Sequence, residues 1–228
     1  MSTRFARRMD TVRTSTIREI LKVTEQPEII SFAGGLPAPE LFPVDDILCA
    51  AGRVLTEGGA GALQYSPTEG FPPLREAFAA ESRKRGIDCS AEDILITTGS
   101  QQPLDLMGKI FLDAGDCVLT ESPTYMAAIQ AFQTYGCRFA AAPTDGEGLI
   151  PEALPALIER ERPKFLYTIP NFQNPSGVTL AAQRRRRLGL DAVEHLVETR
   201  ARHYGGVKLH ALSRQTLRLA VVIANKSV

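Results

Sequence analysis

The chain has 228 residues, 44% of them apolar, with 26 basic and 26 acidic side chains. That is enough for one large domain or two small ones, and the zero formal charge offers no net field for nucleic acid or an anionic membrane. Four scattered cysteines (Cys49, Cys89, Cys117, Cys137) without a C-x-x-C pair argue against a disulfide framework or a zinc site and fit a reducing cytoplasm.

Met1 to Arg13 is basic but lacks the apolar stretch of a secretory signal; its Arg-rich, acid-poor composition is compatible with a transit peptide, and it reads rather as a partner-contacting arm or a frayed end. No apolar run approaches the roughly 20 residues of a membrane span. Thr14 to Thr24 begins with capping-type residues, and Ile17, Ile20, Leu21 and Val23 follow at helical spacing. Arg18 lies in the first turn, where a solvated side chain is the ordinary reading. Ile29 to Pro43 reads as a short strand entering a Gly/Pro-rich loop, with Gly34 and Gly35 free to let a ligand approach the backbone. Val44 to Thr56 predicts an amphipathic helix stopped by Gly58 and Gly59. Leu63 to Gly70 predicts a loop carrying Tyr65. Pro72 to Arg85 predicts a helix with Leu74, Ala77 and Phe78 on one face.

From Asp93 the rhythm changes. Ile94 to Thr98, Cys117 to Thr120, Cys137 to Ala142 and Phe165 to Ile169 read as strands. Pro103 to Leu112, Tyr125 to Thr134, Pro151 to Arg160 and the stretch from Leu180 onward read as helices. This alternation predicts an α/β fold with a mainly parallel sheet. Ligands of such sheets sit at the carboxyl ends of the strands. The loops there hold Gly99-Ser100-Gln101, Ser122 to Tyr125, and Asn171 to Gly177. The run Arg184 to Arg187 has no interleaved aromatic and reads as a solvated helix face rather than a nucleic-acid patch.

Three features carry chemistry. Thr98 to Gln102 joins a strand to a helix N-terminus, where free N–H groups and the positive dipole end suit an anion; Gly99 lets a phosphate come close, and Ser100 adds a hydroxyl. The competing reading is a well-capped helix. Tyr125 offers a ring to a planar ligand, or is simply a partly buried aromatic. Asn174 offers a donor and an acceptor, in a turn stiffened by Pro170 and Pro175. A phosphate cradle, a stacking ring and an amide at one sheet rim suit a phosphorylated aromatic cofactor.

The segments STIREILKVT, ISFAGGLPAPELFP, LQYSPTEGFPPLREA, ILITTGSQQPLDLMGKIFLDAGD, ESPTYMAAIQAF and FLYTIPNFQNPSG span about Thr14 to Arg187. Together they resemble the fold-type I, pyridoxal-phosphate-dependent aminotransferases of class I/II, nearest the 2-aminoadipate and MocR-like branch. The resemblance implies an aspartate aminotransferase-like major domain, pyridoxal 5'-phosphate as cofactor, amino acid and 2-oxo acid substrates, a homodimer and a cytoplasmic setting. At matching positions it implies that Gly99, Ser100 and Gln101 hold the phosphate, Tyr125 stacks on the ring and Asn174 bonds its phenolic oxygen. Tyr65 would reach the phosphate in the neighbouring subunit. Gly35 would lie over the substrate, with Asn174 nearby, and Arg18 would meet an acidic substrate side chain.

It also implies an order of parts: residues 1–43 as arm and substrate-covering loop, 44–187 as part of the cofactor-binding domain, and 188–228 as a divergent tail. Members of the family continue, after the helix near Leu180, with a strand bearing an Asp for the ring nitrogen, then a lysine that carries the cofactor. Neither is found here: the last acidic residue is Glu198, and Lys208 and Lys226 lack the family context. Lys22, Lys84, Lys109 and Lys164 read as solvated charges. Leu217 to Ala224 reads as a possible strand. Three expectations follow: an aminotransferase; an inactive fragment keeping the phosphate-and-ring half of the site; or a regulator's sensory domain, against which the lack of a winged-helix segment before Thr14 speaks.

Overall fold

The computed structural model describes residues 5–6, 8–9, 39–84, 88–188 and 219–222. The chain divides into two compact units. Of the described chain, residues 39–72 belong to the smaller one. There a 3-10 turn at Pro39–Leu41 leads to helix α1 (Val44–Gly58), and a second at Gly59–Leu63 follows. Asp45 and Asp46 complement the positive end of α1, and the predicted glycine stop is where it ends. None of its residues is buried.

The larger unit holds helices α2 (Pro72–Arg83), α3 (Gln101–Phe111), α4 (Met126–Gln133), α5 (Leu154–Glu161) and α6 (Ala182–Leu188). Its strands are β1 (Cys117–Glu121), β2 (Arg138–Ala142), β3 (Thr144–Asp145), β4 (Gly148–Leu149), β5 (Phe165–Thr168) and β6 (Leu219–Val222). Four of them form a parallel sheet in the order β2-β1-β5-β6. Val118 lies beside Phe139 and Phe165, and Phe165 beside Leu219. The alternation of strand and helix thus gives the expected α/β architecture around a parallel sheet.

Apolar side chains cover the sheet on both faces. On one face Leu104 and Met107 of α3 and Ala128, Ala131 and Phe132 of α4 pack with Val118, Phe165 and Tyr167. The Phe132 ring meets Phe165 edge-on at 5.2 Å and Tyr167 at 5.9 Å, a favoured geometry for aromatic pairs. On the other face Leu154 and Leu157 of α5 and Leu149 of the β3–β4 hairpin pack with Leu119, Ala142 and Leu180. That hairpin was not predicted. It turns at Gly146 and Glu147, and β4 opens on Gly148, whose φ of +93° favours glycine and whose missing side chain leaves room for the Leu180 backbone 3.1 Å from an added Cβ.

Three expectations are corrected. Ile94 to Thr98 joins no strand among the described residues, although Ile94 itself has extended backbone. Side chains do what a ladder would: Arg75 Nε donates to the carbonyls of Ala91 and Ile94, both at 3.0 Å, and the Thr98 N–H donates to Gln102 Oε1 at 2.7 Å. The same recruitment of Arg75 rotates α2, so Arg75, Ala79 and Ser82 face inward while Leu74 and Ala77 stay exposed. The arginine run is not a solvated face either. Arg184 grips the hairpin, donating to Asp145 Oδ2 at 2.7 Å and the Gly148 carbonyl at 2.9 Å; Arg185 is wholly buried; Arg187 pairs with Glu152. Lys164 and Lys84 stay exposed as expected, their side chains at 46% and 76%, and pair at the surface with Asp116 at 3.3 Å and Glu81 at 3.6 Å.

Candidate functional site

β1 and β5 run side by side with Thr120 beside Tyr167, so their carboxyl ends deliver two loops to one edge of the sheet. All five residues of β1 are buried, as suits a strand covered on both faces. The fifth is Glu121, 3% exposed. A carboxylate there must find donors. It accepts from Thr168 Oγ1 at 2.9 Å, from the Ile169 N–H at 3.0 Å and from Gln173 Nε2 at 3.4 Å. Burial pushes its pKa up; the three donors oppose that shift without overcoming it.

Gln173 is equally central. Its Nε2 donates to the Pro123 carbonyl at 2.8 Å, and its Oε1 accepts the Ser176 N–H at 2.9 Å. Its own N–H reaches the Val178 carbonyl at 2.9 Å, and its carbonyl accepts from Gly177 at 2.5 Å. One residue therefore closes the turn Asn171 to Gly177 and fastens it to the loop Ser122 to Tyr125. Both Ser122-Pro123 and Asn174-Pro175 are cis. From α6, Arg185 donates through Nε to the Leu180 carbonyl at 2.8 Å, and through Nη2 to the Pro170 carbonyl at 3.0 Å and to the Asn171 side chain.

Tyr125 precedes α4 and packs partly buried against the aromatic cluster. Asn174 is half-buried, and no side-chain hydrogen bond to it is found among the described residues. Nearby, the Tyr167 hydroxyl and Thr124 Oγ1 are buried without a partner among those residues. Burial raises the Tyr167 phenol far above its ordinary value, with the Tyr125 and Glu121 charges adding to it. Ser100 stands at the start of α3, which packs on α4. Before it Gly99 takes a φ of +66°, with open space where a Cβ would stand. The first N–H groups of a helix have no acceptor within it.

The larger unit thus ties the loops of Tyr125 and Asn174 together and carries Gly99, Ser100 and Gln101 at the head of α3. Tyr65 lies in the smaller unit, 99% exposed. Arg18 and Gly35 lie outside the described residues. Free N–H groups at the head of α3, an aromatic ring at Tyr125 and an unengaged amide at Asn174 are groups of the kind a phosphorylated aromatic cofactor needs. The carboxylate at this edge, Glu121, is already taken up by Thr168, Ile169 and Gln173.

Residues 30–189 match the family model for aminotransferase class I and II. The chain belongs to this family. Membership implies pyridoxal phosphate as cofactor. The chain is 56% identical over 177 residues to 2-aminoadipate transaminase of Thermus thermophilus, covering 78% of this chain and 43% of that protein. It is 49% identical over 183 residues to aromatic-amino-acid aminotransferase 1 of Thermococcus litoralis, covering 78% and 44%. Among solved structures, the alpha-aminoadipate aminotransferase LysN of Thermus thermophilus, complexed with N-(5'-phosphopyridoxyl)-L-leucine, superimposes with a TM-score of 0.70 at 51% identity, covering 83% of this chain and 46% of that one. The chain therefore spans a little under half the length of the relatives it matches. No helix among the described residues is long and apolar enough to cross a membrane.

Sequence reasoning missed Glu121, Gln173 and Arg185. Glu121 had a signal, since an acid ending the apolar run Cys117 to Thr120 must be buried or must interrupt the sheet. Gln173 and Arg185 had none, because an amide in a polar turn and one arginine of four look like surface residues.

Proposed function

We propose that the whole protein transfers amino groups between an amino acid and a 2-oxo acid with pyridoxal phosphate, and that this chain supplies the phosphate-and-ring half of the site. In this reading the backbone of Gly99, Ser100 and Gln101 holds the phosphate at the positive end of α3. Tyr125 lies on the ring. Asn174 donates to the phenolic oxygen and so stabilises its ionised form. The bound cofactor would supply a ring able to withdraw charge from the substrate α-carbon. Tyr65 would serve the partner subunit of a cytoplasmic homodimer, while Gly35 and Arg18 would face substrate, with Arg18 suited to an acidic side chain such as that of 2-aminoadipate. The parts would follow the boundaries read from the sequence: arm 1–43, partial cofactor domain 44–187, tail 188–228.

The observation that carries the reading is Gln173, which joins the Asn174 turn to the Tyr125 loop. A second reading, a cradle without turnover, is favoured by β6: Leu-Ala-Val-Val, the described strand following α6, has no carboxylate for the ring nitrogen and no amine. Titration of the purified chain with pyridoxal phosphate tests the first: saturable absorbance, competed by inorganic phosphate and weakened by Asn174→Ala, is expected, and its absence rejects the cradle. Borohydride reduction with peptide mass mapping then separates the two. An adduct on one lysine supports turnover; no site-specific adduct supports the cradle alone.

A further inference from the structure

We propose that Glu121 is a positioning residue, which through Gln173 fixes the Asn174 turn against the Tyr125 loop. Its consequence for cofactor binding rests on the reading above; the clasp itself does not. Glu121 is 3% exposed and Gln173 5%, so neither is placed to meet a ligand directly. The carboxylate takes three donors from one stretch of chain: a side chain inside β5 (Thr168), the first N–H beyond it (Ile169) and an amide four residues on (Gln173). These fix where β5 ends and which way the turn leaves. Gln173 then spends its second bond on the Pro123 carbonyl, two residues before Tyr125. Asn174, the next residue along, makes no side-chain hydrogen bond of its own among the described residues, so its placement is inherited from Gln173.

An ionised carboxylate suits this place because both oxygens only accept. A glutamine there would turn an NH2 group toward one of three donors and leave a buried mismatch.

Hydrogen exchange on the intact, cofactor-free chain tests the clasp, using Gln173→Met, which keeps volume but removes the bonds, and Glu121→Gln. We expect roughly tenfold faster exchange across residues 169–178, as for a buried hydrogen bond worth about a factor of ten. Residues 101–111 of α3 should be unchanged. Asn174→Ala should leave exchange at wild-type rates. With pyridoxal phosphate added, Gln173→Met should bind it about tenfold more weakly and shift its absorbance band as Asn174→Ala does, while affinity for inorganic phosphate is retained. Wild-type exchange in both clasp variants overturns the proposal, as does an equal rise throughout α3 and β1. If the exchange effect appears but the wild-type chain gives no cofactor band, the cradle reading fails and the clasp stands.

Discussion

The guanidinium of Arg185 is fully buried and donates to the side-chain oxygen of Asn171, the first residue of the site turn after Pro170. A helix on one face of the sheet thereby holds the base of a loop on its edge. Removing the guanidinium leaves the buried oxygens of Leu180, Pro170 and Asn171 without this donor, and an unsatisfied buried polar group costs about 1–3 kcal/mol. Arg185→Met should therefore lower the urea-unfolding free energy by about 1–3 kcal/mol. Arg186→Ala, one residue on and exposed, should stay within about 0.5 kcal/mol of wild type. Equal effects at the two positions would refute the assignment.

Gly108 in α3 faces the Tyr135 ring, and an added Cβ would stand 2.4 Å from Cδ2. Tyr135 is held there by its hydroxyl, which donates to Asp105 Oδ1 at 2.8 Å, and its pKa is raised to about 12, first by burial and then by that carboxylate. Alanine normally gains about 1 kcal/mol over glycine inside a helix. Overpacking costs about 1–3 kcal/mol, and here the ring cannot retreat without losing Asp105. Gly108→Ala should thus destabilise in denaturant titration, whereas Gly52→Ala in α1, with open space around it, should not.

Glu121 and Asp145 carry opposite pH signatures. The Arg184 side chain, and then the Glu147 N–H, hold Asp145 down at about 2. Its contribution is present above the ordinary aspartate value and is lost as pH falls from there through about 2. The raised Glu121 binds its proton more tightly folded than unfolded, so stability falls as pH rises from the ordinary glutamate value of about 4.3 toward the raised one. Urea midpoints against pH should lose the acid-side slope in Asp145→Asn and the slope above about pH 4.3 in Glu121→Gln. A Glu121→Gln profile parallel to wild type would contradict this.

Phe172 adopts a φ of +46° while 72% exposed. The left-handed region costs a bulky residue about 1–2 kcal/mol, and asparagine tolerates it better. With little burial to lose, Phe172→Asn should stabilise by about 0.5–1 kcal/mol, seen as a higher urea midpoint with an unchanged slope. A lower midpoint would show that the exposed ring stabilises the fold.

Most of this architecture was legible because burial imposes a simple pattern. Cys117 to Thr120 and Phe165 to Ile169 had to be strands, and the glycines after Thr56 had to end a helix. The site's loops were legible by the same logic, as the carboxyl-end connections of those strands. What was not legible depends on polar groups chosen over long sequence separations. Arg75 reaches 16 and 19 residues along the chain to replace a ladder at Ile94. Glu121 finds Gln173 52 residues away. Periodicity records which face is apolar, and does not record which polar side chain is drawn inside.

Helix α1 exposes Val44, Ile47, Leu48, Val54 and Leu55, each at 48% or more, and buries none of its residues. A helix of 15 residues without packing is marginal in water. The heat absorbed on melting should therefore come from the two apolar clusters around the sheet, with α1 fraying at lower temperature and adding little to the cooperative transition.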